Sequence, residues 1–232
     1  MYDSKIIITI LTWDRWEIFG ETLSSLTKYN PDCNYPILVL DNGSSDKPTK
    51  DVKKQIKDRC DLIKLKKNRG ASRGTMKLWK MALKKYQPQY ILHVEDDFPC
   101  VKSVPFGAIL SFMDKYEDVG FCQLNDKSEM LIKKGGKCYI ERTERKYNII
   151  TGDNLSFVSE GTYDGMEIFK GNHHFTFNPT LFRTDIIVPI TKGVNIEKDV
   201  MVNFQKLKLK SSKLSEPCFQ TVKRKRQKGW HK

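Results

Sequence analysis

Tyr90-Ile91-Leu92-His93-Val94-Glu95-Asp96-Asp97-Phe98-Pro99 is the stretch whose reading decides the fold. An apolar, partly β-branched run ends abruptly in three adjacent carboxylates, with a proline soon after. It reads as a buried strand delivering negative charge to the edge of a sheet. Three neighbouring carboxylates repel one another, and crowding them costs stability unless a cation or strong donors answer them. Oxygen-only ligands suit Mg²⁺ or Mn²⁺, held by one or two carboxylates together with the phosphates of a substrate. A solvated acidic turn is the plainer reading of such a triplet. The apolar lead-in favours a metal site, because it fixes where the carboxylates stand.

Toward the N-terminus, Lys5 to Leu11 is a near-continuous β-branched run, typical of a strand covered on both faces. Thr12-Trp13-Asp14-Arg15 forms its polar exit. Trp16, Phe19, Leu23 and Leu26 then keep helical spacing up to Tyr29, and Asn30-Pro31 ends that helix. A second strand from Tyr35 to Leu40 runs into the turn-rich loop Asp41-Asn42-Gly43-Ser44-Ser45-Asp46, with a helix cap expected at its far end, at Asp46. A helix over Thr49 to Arg59, a strand over Leu62 to Leu65 and a helix with Met76, Trp79 and Leu83 on its apolar face complete the approach to Tyr90. The alternation of strand and helix predicts an α/β fold with a parallel sheet. Right-handed crossovers place the strand-end loops on one edge, where open α/β sheets bind ligands. Asp41, Arg73 and Asp97 are therefore expected to converge.

The second half is less regular. Pro105 to Tyr116 reads as helix, Val119 to Leu124 as strand, and Lys133 to Ile150, with Gly135-Gly136, as hairpins or a mobile loop. Phe175-Thr176-Phe177-Asn178-Pro179 closes an extended piece, and Pro179 is placed to start a short helix. Val200 to Leu209 has helical spacing, and Lys223 to Lys232 is a basic tail carrying Trp230 and His231. No repeat or linker marks a boundary, so residues 1–232 are expected to form a single domain.

The 232 residues carry 41 Lys+Arg against 28 Asp+Glu, a formal charge of +13. That excess favours polyanionic partners without choosing among them. No run is long and apolar enough to cross a bilayer, and no signal peptide is expected. Six cysteines without a CxxC pair suggest reduced thiols in a cytoplasmic protein rather than a zinc site. The absence of GxxxxGK[ST], and of GxGxxG after the first strand, removes the main support for ATPase and dinucleotide-dehydrogenase readings. Asn68-Arg69-Gly70 through Arg73-Gly74 can still serve a phosphate. Glycines let the backbone come close, a helix N-terminus is partly positive, and arginine grips phosphate oxygens in pairs. An ordinary glycine turn with surface arginines is an equal alternative.

Together, the opening strand Ile6 to Thr12, the Leu40 to Asp46 stretch, Asn68-Arg69-Gly70 and the acidic triplet make the chain resemble the GT-A-fold glycosyltransferases, especially the family-two-like group. Their usual D-x-D signature reads Glu95-Asp96-Asp97 here, a form similar to the E-D-D of some N-acetylglucosaminyltransferases. The resemblance implies a Rossmann-like open mixed sheet with central parallel strands flanked by helices. It also implies a nucleotide-sugar-binding half (1–100) and an acceptor-binding half (101–232) that ends in the basic tail. The implied activity is a metal-dependent, hexosyltransferase-like reaction, inverting by expectation. It moves a sugar from a UDP- or GDP-sugar to a glycan, glycolipid or glycoprotein hydroxyl, with Mn²⁺ or Mg²⁺ as cofactor.

Roles follow from the same resemblance. Asp41 would contact the base, with Thr12, Asn68, Gly70 and Arg73 near base and diphosphate. Asp97 would bind the metal, while Glu95 and Asp96 hold ribose or metal-bound water, Glu95 being a second metal candidate. The family's general base sits late in the chain at a helix start, which points to Asp199 first and Glu197 second. Helix capping is the alternative role for either acid. A late histidine ligand is expected at His231, ahead of His173 and His174. Phe175 to Pro179 resembles the segment lining the acceptor side, with core packing as the alternative for its aromatics. Lys206, Lys208, Lys210, Lys213 and the tail give a possible peripheral hold on anionic membrane. A metal-dependent nucleic-acid enzyme or binder, suggested by the charge and by Lys223-Arg224-Lys225-Arg226, is the competing reading, and nucleic acid is the less expected partner.

Overall fold

Ile6, Ile8 and Ile10 of strand Ile6–Thr12 (β1) are buried in one apolar cluster and Ile7 in a second on the opposite face. Successive side chains of a strand point to opposite faces, so a β-branched run buried throughout needs a layer on each side. The computed structural model describes residues 5–125, 130–134, 137–141, 156–172, 176–194 and 196–222. The first cluster takes Trp16, Phe19, Leu23 and Leu26 from Trp16–Tyr29 (α1), Val52 and Ile56 from Lys50–Arg59 (α2) and Phe112 from Phe106–Lys115 (α4). The second takes Met76, Leu78, Trp79 and Ala82 from Ala71–Tyr86 (α3). It also takes Ile187 and Ile190 from Ile187–Thr191 (α5), and Val200 and Phe204 from Glu197–Lys206 (α6).

Between these layers the described strands make one eleven-stranded sheet in the order β3-β2-β1-β4-β10-β5-β11-β9-β8-β7-β6. Ile37–Asp41 (β2), Cys60–Lys64 (β3) and Tyr90–Glu95 (β4) run parallel with β1. Thr180–Arg183 (β10) is inserted antiparallel between β4 and Val119–Gln123 (β5), and Lys210–Leu214 (β11) lies parallel to β5. Met166–Gly171 (β9), Ser156–Tyr163 (β8), Lys137–Glu141 (β7) and Met130–Lys134 (β6) extend the sheet antiparallel. The expected open mixed α/β sheet with a parallel centre is present.

Several expectations are corrected. The third strand begins at Cys60 rather than Leu62, as the partner of Ile37. The second helix is capped by Thr49, whose hydroxyl accepts from Val52 N–H at 3.3 Å, not by Asp46. Pro179 starts no helix, because Thr180 goes straight into β10. The late helix starts at Glu197 and stops at Lys206. Lys210 to Leu214, two of whose lysines were expected on a lysine-rich face, is a strand in which Lys213 is only 4% exposed. Lys213 is thus unavailable to a membrane. Phe177 is core, edge-on to Trp79 at 5.2 Å between ring centroids, and is not a platform for a sugar. Phe175, His173, His174, Gly135-Gly136 and the tail from Lys223 lie outside the described residues. Cys33, Cys60, Cys100, Cys122 and Cys218 are free thiols, and no described helix is long and apolar enough to cross a membrane.

His93 gives the core a pH dependence. Its ring is sealed between Trp79 and Phe177, with Nδ1 3.1 Å from Thr9 Oγ1, and burial pushes its pKa down to about 3. The unfolded chain binds that proton near the ordinary value of 6.5, so the unfolded state holds more protons between about pH 3 and 6.5. Stability from this group is complete above that window and falls as pH drops through it, by at most about 1.4 kcal/mol per pH unit. Thermal melts from pH 7.5 to 5 should show the decline, with a shallower slope in His93→Gln.

Candidate active site

The strand order reverses between β1 and β4: β1 is followed in the chain by β2 on one flank, while β4 lies on the other. Such a switch point opens a crevice at the carboxyl ends of open α/β sheets, and here α1 leaves β1 on one face while α3 leads into β4 from the other. The register sets the acids there. Thr12 is the partner of Asp41, and Leu11 is the partner of Glu95, so Thr12, Asp41 and the acidic triplet stand on adjacent strand ends.

Asp41 is 1% exposed. Its Oδ1 accepts from Ser44 N–H at 2.7 Å, and Lys64 Nζ stands 3.3 Å from Oδ2. The carboxylate thereby fixes the loop that leaves β2. Asn42 continues the work: its Nδ2 donates to Asn68 Oδ1 at 2.9 Å and to the Gly70 carbonyl at 3.2 Å, and its Oδ1 accepts from Arg69 N–H at 3.1 Å. Asn68 Oδ1 also accepts from Gly70 N–H at 2.7 Å. One side chain at the end of β2 thus holds the Asn68–Gly70 turn in place.

Gly70 caps α3 with φ +77°. At Gly74, in the first turn, an added Cβ would meet Asn42 Nδ2 at 3.0 Å and Leu11 Cδ1 at 3.1 Å. The helix start therefore presses directly onto the ends of β1 and β2, bringing its partly positive N-terminus and the exposed Arg73 to the crevice edge.

The triplet divides by direction. Asp96 is 1% exposed, and Arg15 grips it through Nη2 while Nη1 reaches Asp97 Oδ2 at 2.9 Å. Burial pushes the Asp96 pKa up to about 7, opposed by Arg15 and raised further by Asp97. The nearby Thr12 hydroxyl and Trp13 N–H also favour the charged form. The Asp97 side chain is 27% exposed, and Glu95 is half-buried. Asp96 thus faces the protein, and Asp97 and Glu95 are the acids open to solvent. The expectation that Asp96 holds ribose or metal-bound water does not fit an inward-facing carboxylate.

Arg15 is the residue that sequence reasoning missed. It follows Asp14, which adopts φ +50° and is tied down on three sides. Asp14 N–H donates to Ser44 Oγ at 2.9 Å, and its carboxylate accepts from Asp46 N–H at 2.9 Å and from Ser45 Oγ. The only available signal was the unbalanced charge of the triplet, which demands a cation without saying which.

On the far side, Glu197 N–H donates to Ser72 Oγ at 3.0 Å, joining the start of α6 to the start of α3. Glu197 Oε1 accepts from Phe177 N–H at 2.9 Å, and Asp199 Oδ2 lies 3.4 Å from Ile196 N–H across the first turn. The chain returns to the acids at its other end, where Val222 N–H donates to the Asp97 carbonyl at 3.0 Å. His231 lies outside the described residues. No described cluster holds three His, Cys, Asp or Glu ligands. The donor set of Asp97 and Glu95, hard oxygens half open to solvent, fits a divalent ion whose remaining ligands come from elsewhere.

The family model for Glycosyl transferase family 2 matches residues 7–174. No curated protein sequence matches the chain. Among solved structures, residues 1–349 of S. aureus TarS align with a TM-score of 0.58 at 14% identity, over 94% of this chain and 60% of that one. The same protein in complex with UDP-GlcNAc aligns with a TM-score of 0.59 at 14% identity, over 96% of this chain and 60% of that one. The chain thus spans 60% of the length of these solved chains, and at such identity the likeness is one of fold.

Proposed function

The chain belongs to glycosyl transferase family 2, and on that premise we propose that it moves a sugar from a nucleoside-diphosphate sugar to a hydroxyl acceptor. One observation carries the reading. The register gathers Thr12, Asp41 and Glu95 on neighbouring strand ends at the switch point, and Asn42 fastens the N-terminus of α3 beside them. A complex of TarS with UDP-GlcNAc, similar in fold over 96% of this chain, supports the substrate class. Residues 1–100 are then the donor half and 101–232 the acceptor half of a single domain.

Asp41, Ser44 and Thr12 bound the base pocket, and the Asn68–Gly70 turn with Arg73 faces the diphosphate. Asp97 holds Mn²⁺ or Mg²⁺, with Glu95 on ribose or sharing the ion. A bound divalent cation would neutralise charge developing on the leaving nucleoside diphosphate. His231 completes this set in the proposal. It follows Val222 by nine residues, and an extended chain of that length spans up to roughly 30 Å, ample from a residue bonded to the Asp97 backbone.

Of the two candidate bases, Asp199 is favoured. The Glu197 carboxylate is held at 2.9 Å by Phe177 N–H and so fixes the segment before β10. The Asp199 carboxylate stands in the first turn of α6, 3.4 Å from Ile196 N–H, at the helix start where the family resemblance puts the base. A carboxylate there takes the acceptor proton as oxygen attacks the anomeric carbon from the face opposite the diphosphate, which inverts that centre.

The test is a panel of UDP- and GDP-sugars with Mn²⁺, read by melting temperature and by nucleotide release. Stabilisation by at least one donor is expected. Stabilisation by nucleic acid alone, falling steeply with salt, would instead favour the competing reading. Asp199→Asn should lower kcat by about 10²–10⁴-fold with donor affinity kept. Glu197→Gln should act chiefly on melting temperature, and the reverse pattern would exchange the two roles.

A further inference from the structure

The guanidinium of Arg15 spans the ends of two strands, leaving β1 and closing on the two last acids of the triplet beyond β4. It is a built contact. Asp14, held at φ +50° by Ser44, Ser45 and Asp46, sets the backbone from which Arg15 departs, and the Arg15 carbonyl accepts Phe19 N–H at 2.9 Å to start α1. The Arg15 side chain is only 18% exposed, so its charge is weakly screened by water and salt.

This inference rests on the reading of Asp97 as the metal ligand. A cation that approaches Asp97 finds one carboxylate oxygen already engaged at 2.9 Å by a fixed positive charge. Asp97 and Glu95, the two triplet acids open to solvent, give a lone cation few oxygens with which to offset that repulsion. A nucleoside diphosphate brings both the missing oxygen ligands and the negative charge that offsets the guanidinium.

We propose that Arg15 is a positioning residue that makes divalent-cation binding conditional on the nucleoside diphosphate. It orients Asp97 before ligands bind and disfavours the metal by itself, so that metal and donor enter together. Coupling of this kind is reciprocal: the metal tightens the nucleotide by the factor by which the nucleotide tightens the metal. Residues whose role is only to hold the fold do not alter that factor.

The experiment measures Mn²⁺ binding by the electron paramagnetic resonance of free Mn²⁺, alone, with UDP and with GDP, on wild type, Arg15→Gln and Arg15→Lys. In wild type, at least one of the two nucleotides should tighten Mn²⁺ by about tenfold or more, which falls within the usual range for coupled sites. Arg15→Gln should bind Mn²⁺ alone more tightly and lose most of the coupling. Arg15→Lys retains the buried charge balance and folds even if the glutamine variant does not. Its ammonium reaches one carboxylate instead of two, so its coupling should fall at least about threefold below wild type. Lower melting temperatures with wild-type coupling in the folded variants would overturn the proposal and leave Arg15 a structural ion pair. Mn²⁺ that wild type ignores with UDP and with GDP alike would overturn the metal-and-donor reading as well, so the two failures are distinguishable.

Discussion

Asp97→Ala is expected to abolish the Mn²⁺-dependent rise in melting temperature on adding donor, and to lower kcat/KM by on the order of 10³-fold. The size follows from position. Asp97 stands one residue beyond the acid that follows Glu95 off β4, at the crevice where the strand order reverses, with its side chain 27% exposed. Loss of a charge-stabilising partner worth several kcal/mol is a loss of several decades, because each decade is about 1.4 kcal/mol. The ligand-free protein should hardly notice, since Arg15 keeps its grip on Asp96. Asp96→Ala should behave in the opposite way. Its carboxylate is 1% exposed and paired with a mostly buried guanidinium, and removing one member of such a pair costs about 3–5 kcal/mol. Adjacent acids should thus give two separable results: lost activity in a stable protein, and lost stability. If Asp97→Ala retained the metal-dependent shift, the assignment of the ligand would fail.

How far the chain could be read without coordinates depended on whether each signal was local. β1, β2 and β4 announce themselves because strands covered on both faces need apolar side chains in both alternating sets, and α1 to α4 because a helix packed on one side needs a 3.6-residue stripe. β3 was misplaced by two residues because it is an edge strand, where Asp61 and Leu62 face solvent and no periodic pattern survives. β10 is four residues long and is specified by partners such as Leu92 and Cys122, far away in the chain. β11 reads Lys-Ser-Ser-Lys-Leu, and its two buried serines donate to carbonyls of neighbouring strands, Ser211 Oγ to Gly171 O at 3.1 Å and Ser212 Oγ to Phe121 O at 3.2 Å. Hydrophobic patterning is blind to a strand of that kind. The site divides in the same way. Asp41, the glycine turn and the triplet were legible from their places after strands, whereas the Arg15 pairing joins residues more than eighty positions apart and no spacing rule encodes it.

Gly43→Ala should be the most damaging single-atom addition among residues 1–100, lowering stability by about 3 kcal/mol or more. Two independent costs meet there. Gly43 has φ +82°, a conformation that L-residues adopt only under strain of about 1–3 kcal/mol. A Cβ would also stand 2.4 Å from Lys67 C, 2.6 Å from Asn68 N and 2.7 Å from Lys67 Cα. All three are backbone atoms, so no side chain can swing aside, and the Lys67–Asn68 peptide itself must move. That peptide leads into the turn that Asn42 holds through Asn68, Arg69 and Gly70, and the turn in turn sets the start of α3. Displacement should therefore weaken donor binding as well as the fold. In a domain of this size each kcal/mol corresponds to roughly 2–4 °C, so a fall of about 6–12 °C is expected. Gly70→Ala is the internal control: its φ is +77°, yet an added Cβ has nothing within 4 Å, so it carries the strain without the collision. Melting curves of the two variants should separate clearly, with Gly43→Ala the lower. Equal losses would mean that backbone strain alone fixes these positions, and that the close approach of the Asp41–Asp46 loop to the Asn68–Gly70 turn contributes little to holding the crevice in shape.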